Sequence, residues 1–189
     1  MDYAISCYQP LSPGPDMIRL LRLLPDEGGN APIQCQLFNY TLQESGRRTH
    51  PYDALSYVWG DWVNPESIFI RGHQLPVTQN LFKALSSLRY RSIERILWVD
   101  AICINQHDQP EKERQIRFMA KIYAQANRVI VWLGEGADNS DQAIEEIRVA
   151  GGDKKSSNSP SPEMIQQAIL PLLRRPWFRR IWVREGILG

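Results

Sequence analysis

The chain has 189 residues, enough for one domain with a substantial core, and 43% of them are hydrophobic, as in globular proteins. Lysine and arginine total 22 against 21 acids, a net charge of +1, so no global field recruits nucleic acid or an anionic membrane. Cys7, Cys35 and Cys103 are odd in number and far apart, with no C-x-x-C spacing, which argues against a disulfide framework or a zinc knuckle and for three reduced thiols in a cytoplasmic protein.

Residues 1–17 read as an N-terminal tail. They carry neither a basic head nor an apolar run, and nowhere are there about eighteen consecutive apolar residues, so neither a standard signal nor a membrane span is expected. Met17 to Leu24 reads as a strand closed by Pro25-Asp26-Glu27-Gly28-Gly29. Ile33, Cys35 and Leu37 then alternate with polar residues, the pattern of a strand with one wet face, so the two strands are expected to pair as an antiparallel accessory hairpin. After a polar stretch at Gln43 to Thr49, Tyr52 to Trp59 resumes strand character before Gly60-Asp61. Ile68 to Ile70 and Leu75 to Val77 flank a turn and read as a small hairpin that leaves His73 solvated.

Helical spacing first appears at Leu81, Ala84, Leu85 and Leu88, with Thr78 or Asn80 as N-cap. Ile96 to Val99 is a β-branched and aromatic run that reads as a strand buried on both faces, with Asp100 at its C-terminal end. The polar loop Ile104-Asn105-Gln106-His107-Asp108 follows. Pro110 to Ala126 is a helix, with Asp108 as N-cap, Pro110 in the first turn and Ile116, Met119, Ala120, Tyr123 and Ala124 as its buried face. Arg128 to Leu133 reads as a third buried strand, and the strand, helix, strand order implies a right-handed crossover and a parallel sheet. Ser140 to Ala150 is a short helix stopped by glycines, 152–162 has the composition of a flexible linker, and Met164 to Leu173 is helical again. In Pro176 to Trp182 three aromatics stand beside two arginines.

In an open parallel sheet, ligands bind where loops diverge at the strand C-termini, so Asp100 and the loop after it are expected near a crevice. Asp100 has a structural alternative, since a carboxylate at a strand end often caps NH groups of the next loop. Ser56, His107 and Asp100 could be drawn as a hydrolase triad, but no G-x-S-x-G elbow supports it. Cys103 with His107 does not make a metal site, so no metal is expected, and no glycine-rich nucleotide loop is present.

YDALSYVWGD at Tyr52 to Asp61, LWVDAICINQHD at Leu97 to Asp108, the run IYAQANRVIVWLG ending at Gly134 and PWFRRIW at Pro176 to Trp182 resemble the HET (heterokaryon incompatibility) domain, a family found chiefly in filamentous fungi. The resemblance extends over 18–189, with the C-terminal part shorter than in full family members. It implies an α/β, TIR- or flavodoxin-like three-layer domain with a central, mainly parallel sheet and an N-terminal antiparallel hairpin. It also implies a role in programmed cell death on non-self recognition.

Some TIR domains, to which the family is similar, cleave NAD with one glutamate that follows a tryptophan on a helix. NAD is then substrate and no tightly bound cofactor is expected. By this resemblance Glu185 and Asp100 are the catalytic candidates, and Ser56, Trp59, Gly60, Asn105, Gln106 and Trp182 the binding ones. A carboxylate that holds the ribose and stabilises oxocarbenium charge supplies most of that catalysis, because nicotinamide already leaves well. In Trp182-Val183-Arg184-Glu185 the glutamate comes one residue earlier than in the family pattern. On a helix that rotates it by about 100°, so weak or no NAD hydrolysis is expected. The alternative is a non-catalytic signalling module that self-associates, as a homo-oligomer or with an NLR-type partner.

Overall fold

The computed structural model describes residues 7–11, 14, 16–26, 28–29, 31–42, 50–137, 140–150 and 169–179. The expected linker at 152–162, the stretch 43–49 and the candidates Trp182 and Glu185 lie outside them. The chain forms two compact units, 1–132 and 133–189.

The first unit is a seven-stranded mixed sheet with helices. In chain order it comprises β1 (Met17–Leu23), β2 (Gln34–Thr41), β3 (His50–Tyr57), β4 (Glu66–Ile70), β5 (His73–Val77), α1 (Gln79–Leu88), β6 (Arg95–Trp98), α2 (Asp100–Cys103), α3 (Gln109–Gln125) and β7 (Ala126–Trp132). The strands lie in the order β5-β4-β2-β1-β6-β3-β7. The expected parallel trio is present: β3 pairs in parallel with β6 on one side and β7 on the other. This is second, first, third in chain order, the arrangement at the centre of a doubly wound sheet. The crossover from β3 to β6 and the one from β6 back past β3 to β7 run in opposite directions along the sheet, and a common right hand sets α1 and α3 on opposite faces. Side chains agree with this. The Tyr52 hydroxyl donates to Ile122 O of α3 at 2.6 Å, whereas Tyr57, of opposite parity on β3, shares a cavity wall with Leu81 of α1.

The N-terminal hairpin forms as expected, with Met17 opposite Thr41 and Leu23 opposite Cys35, but it is no accessory. β1 also pairs antiparallel with β6, and Ile18, Leu20, Leu21 and Leu23 are almost completely buried. The second hairpin, β4 and β5, joins through a parallel β2–β4 pairing. It leaves Pro76 on an edge strand, where a missing NH is tolerated.

Three further expectations are corrected. The strand ends at Trp98, and Asp100 is instead the first residue of the one-turn helix α2. β7 is an edge strand and not a buried one, with Val129 and Val131 at 46% and 40% exposure. On α3, Ile116 is exposed and the buried residues are Glu111, Gln115 and Ile122. Their spacing is still helical, but two of the three are polar, which an apolar pattern cannot detect. Gln115 is held there by donating to Met17 O at 2.8 Å.

The helix starts follow local chemistry. Thr78 Oγ1 accepts from Leu81 N at 3.4 Å, and Asp108 Oδ1 accepts from Glu111 N at 2.9 Å, each satisfying a free NH of the first turn. In the second unit, α4 (Ser140–Ala150) and a helix over 169–173 precede a 3-10 turn at Pro176–Arg179. Ala143 and Leu172 are buried with Leu133 and Phe178 packed on them, and Arg175 donates to Leu133 O and Ala137 O. Among the described residues no helix is long and apolar enough to cross a membrane.

Candidate functional site

At the C-terminal ends of β3 and β6 the chain leaves the sheet through two unlike loops. The loop after β3 turns at Gly60, whose φ of 76° favours glycine. A Cβ added there would stand 3.4 Å from Asn80 Cβ. Asn80 fixes this corner from α1: its Nδ2 donates to Val58 O at 2.6 Å, and its Oδ1 accepts from Trp132 Nε1 of β7 at 2.9 Å. One amide thereby ties together the ends of β3, α1 and β7.

The loop after β6 is pinned from below by a buried ion pair. Arg19 of β1 donates from Nη1 to Glu111 Oε1 at 2.7 Å and from Nη2 to Glu111 Oε2 at 2.9 Å. The same guanidinium reaches Cys103 O and Gln9 O, each at 3.0 Å, and lies 5.1 Å from the centre of the Tyr8 ring. Glu111 Oε1 in turn accepts from Asn105 N at 2.8 Å. The loop at 104–108 is therefore held by α3, β1 and the first described residues together. Tyr8 adds a hydroxyl bond to Ile102 O at 2.9 Å, and burial pushes its phenol well above the ordinary value.

Between these loops lies a cavity of about 430 Å³. Its lining combines the aromatic rings of Tyr8, Tyr57, Trp59 and Trp62, the apolar side chains of Leu75, Val77 and Leu81, and the polar groups of Gln106, His107 and Lys112. Such a lining suits a planar ring, because aromatic faces stack while a few polar groups fix orientation.

Of the residues singled out from sequence, Trp59 and Gln106 line this cavity. Asp100 stands behind it with both oxygens engaged: Oδ2 accepts from Trp59 Nε1 at 2.9 Å and Oδ1 from Ala101 N at 2.8 Å. Gln106 Nε2 donates to Asp100 O at 3.0 Å. Asp100 thus binds a free NH in the first turn of α2 and orients Trp59. Asn105 Oδ1 accepts from His107 N and shapes the loop. Ser56 is 2% exposed within the sheet and Gly60 forms the corner, so neither is a wall of the cavity. Among the described residues no group of three His, Cys, Asp or Glu side chains could hold a metal ion.

Sequence reasoning missed Tyr8, Arg19, Tyr57, Trp62 and Lys112. Arg19 left one signal, a charge inside the apolar run Ile18 to Leu24. A cation on a central strand needs a buried partner, though nothing local names Glu111. Tyr8 left none.

A family model described as heterokaryon incompatibility protein (HET) matches residues 52–185. A Neurospora crassa protein described as heterokaryon incompatibility protein 6, OR allele, is 34% identical over 147 residues, covering 71% of this chain and 21% of that protein. The chain therefore spans about a fifth of the length of the curated relative it matches. No solved structure matches. Tyr8 and Arg19 both precede the matched segment, so part of the cavity and the anchor of its loop come from outside it.

Proposed function

The chain belongs to the heterokaryon incompatibility (HET) family, and from that premise we propose that it is a fungal incompatibility module whose cavity binds NAD and releases nicotinamide slowly, as a death signal. The observation that supports this reading is the position of the cavity. It opens at the C-terminal ends of parallel strands, beside the strand where the order reverses, which is where open α/β sheets bind nucleotides.

In this reading Trp59 and Trp62 take a ring of the dinucleotide, and Asp100 acts through Trp59 as a positioning residue, its carboxylate being already occupied. The carboxylate assigned to the chemistry is Glu185, on the family resemblance alone, by its place in sequence after Trp182. Hydrolysis breaks the bond between nicotinamide and ribose C1′; water adds to that carbon, giving ADP-ribose, nicotinamide and a proton. The short spacing of Trp182 and Glu185 makes this slow. Stoichiometric protein incubated with NAD should yield nicotinamide and ADP-ribose on the scale of a few turnovers, and Glu185→Ala should stop it. Absence of any nicotinamide from folded protein refutes the catalytic part.

A second reading rests on β7. Its outer edge is paired by no strand among the described residues, and Val129 and Val131 are exposed on it. An open apolar edge of this kind pairs readily with another strand, which fits a non-catalytic module that passes its signal by self-association. Concentration-dependent oligomers that disappear in Val131→Lys, without NAD turnover, would favour it.

A further inference from the structure

We infer that the cavity is selective for a nucleoside phosphate over the bare nucleoside, with Lys112 as the contact for the phosphate; this rests on reading that cavity as the ligand site. The argument is one of charge. Among the described lining residues none is acidic, and Lys112 and His107 line the cavity together with the aromatic side chains. Every carboxylate close in sequence to Lys112 has another partner. Glu111 is held by two bonds from Arg19, Asp108 caps α3 by accepting from Glu111 N, and Glu113 Oε1 accepts from Gln109 Nε2 at 2.8 Å. Asp100, which does not line the cavity, is bonded to Trp59 and to Ala101 N.

The Arg19–Glu111 pair therefore does more than fix the loop. By neutralising Glu111 it removes the one buried carboxylate that adjoins Lys112 and leaves the ammonium charge of Lys112 for whatever enters the cavity. A planar base against Trp59 or Trp62 with an anionic group toward Lys112 satisfies both parts of the lining. A neutral nucleoside satisfies one. A cation gains nothing from Lys112. Charge-assisted contacts to phosphate are among the stronger polar ones, and lysine serves as a point charge for them.

The test is calorimetric titration of the full chain with AMP, adenosine and inorganic phosphate, for the wild type and Lys112→Gln. Lys112 is on the helix surface and carries no structural bond from its side chain among those described, so the variant should fold with an unchanged circular dichroism spectrum. AMP should bind at least about tenfold more tightly than adenosine, a difference of about 1.4 kcal/mol. Lys112→Gln should erase that difference and leave adenosine unchanged. Inorganic phosphate alone should bind far more weakly than AMP.

Equal binding of AMP and adenosine by the wild type overturns the inference, as does an AMP preference that survives Lys112→Gln. Phosphate binding as tightly as AMP also overturns it, because the site is then a free-anion site. The inference and the function it rests on fail separately. A Lys112-dependent preference for AMP without nicotinamide release from NAD removes the catalytic reading and supports the inference. Nicotinamide release indifferent to Lys112 does the reverse.

Discussion

Replacing Arg19 with methionine should be among the most damaging single changes to the first unit. The guanidinium is 2% exposed, and its partner Glu111 is 6% exposed. The substitution removes four hydrogen bonds, two to Glu111 and one each to Cys103 O and Gln9 O. Among the described residues, it leaves the Glu111 carboxylate with Asn105 N as its donor. Breaking a buried pair from one side costs about 3–5 kcal/mol, mostly because the remaining charge is uncompensated. That is a large fraction of the 5–15 kcal/mol typical of a whole domain. Adding Glu111→Gln removes the stranded charge while keeping an oxygen for Asn105 N, so the double variant should recover on the order of 1–2 kcal/mol. Urea unfolding of the wild type, both singles and the double would measure the cycle. A loss below about 1 kcal/mol for Arg19→Met, the level of an exposed pair, would refute the reasoning. So would a double variant less stable than Arg19→Met alone.

Further outcomes follow from the same geometry. Burial by itself would raise the carboxyl of Asp53, but Arg128, Asn127 and Arg95 hold it below its ordinary value of 3.8. Its contribution is therefore complete above that value and is lost as pH falls through the lower, folded one. The stability advantage of the wild type over Asp53→Asn should shrink on acidification below about pH 4, and an advantage that grows there would contradict this. Gly60→Ala should cost about 1–2 kcal/mol, because φ is 76° and the new Cβ would meet Asn80; a neutral result in thermal unfolding would show that the corner relaxes. Burial pushes the Cys35 and Cys103 thiols up to about 12. At pH 8 both should resist iodoacetamide in the native protein and react once it is unfolded, and mass spectrometry showing rapid native labelling of Cys103 would disprove its burial.

The parallel trio was legible because the strand-like segment at Asp53 to Tyr57 and the β-branched runs at Ile96 to Val99 and Val129 to Leu133 alternate with helices whose caps, Thr78 and Asp108, are conventional. The partnership of β1 with β6 was not legible, since pairing at that separation leaves no trace in local periodicity. The inward face of α3 was legible only in part, since Met119 and Tyr123 do pack against the core whereas Ile116 is exposed. Glu111 and Gln115 are polar, and only their remote partners, Arg19 and Met17 O, make them core residues. Trp59 and Gln106 come together at the cavity because they sit in loops beside strand ends. Ser56, expected around the same concavity, is buried in the sheet and does not line it. The cavity itself draws on several separate stretches between Tyr8 and Lys112, a convergence that belongs to the fold and not to any one stretch.

The central claim is that the aromatic cavity at the ends of β3 and β6 receives the ligand. It is tested most directly by following the indole NH signals of 15N-tryptophan-labelled protein during titration with NAD. Trp59 and Trp62, which line the cavity, should shift together and saturate with one affinity, while Trp98, fully buried on the α3 face, should stay in place. Saturable binding that moves neither Trp59 nor Trp62 would contradict the account.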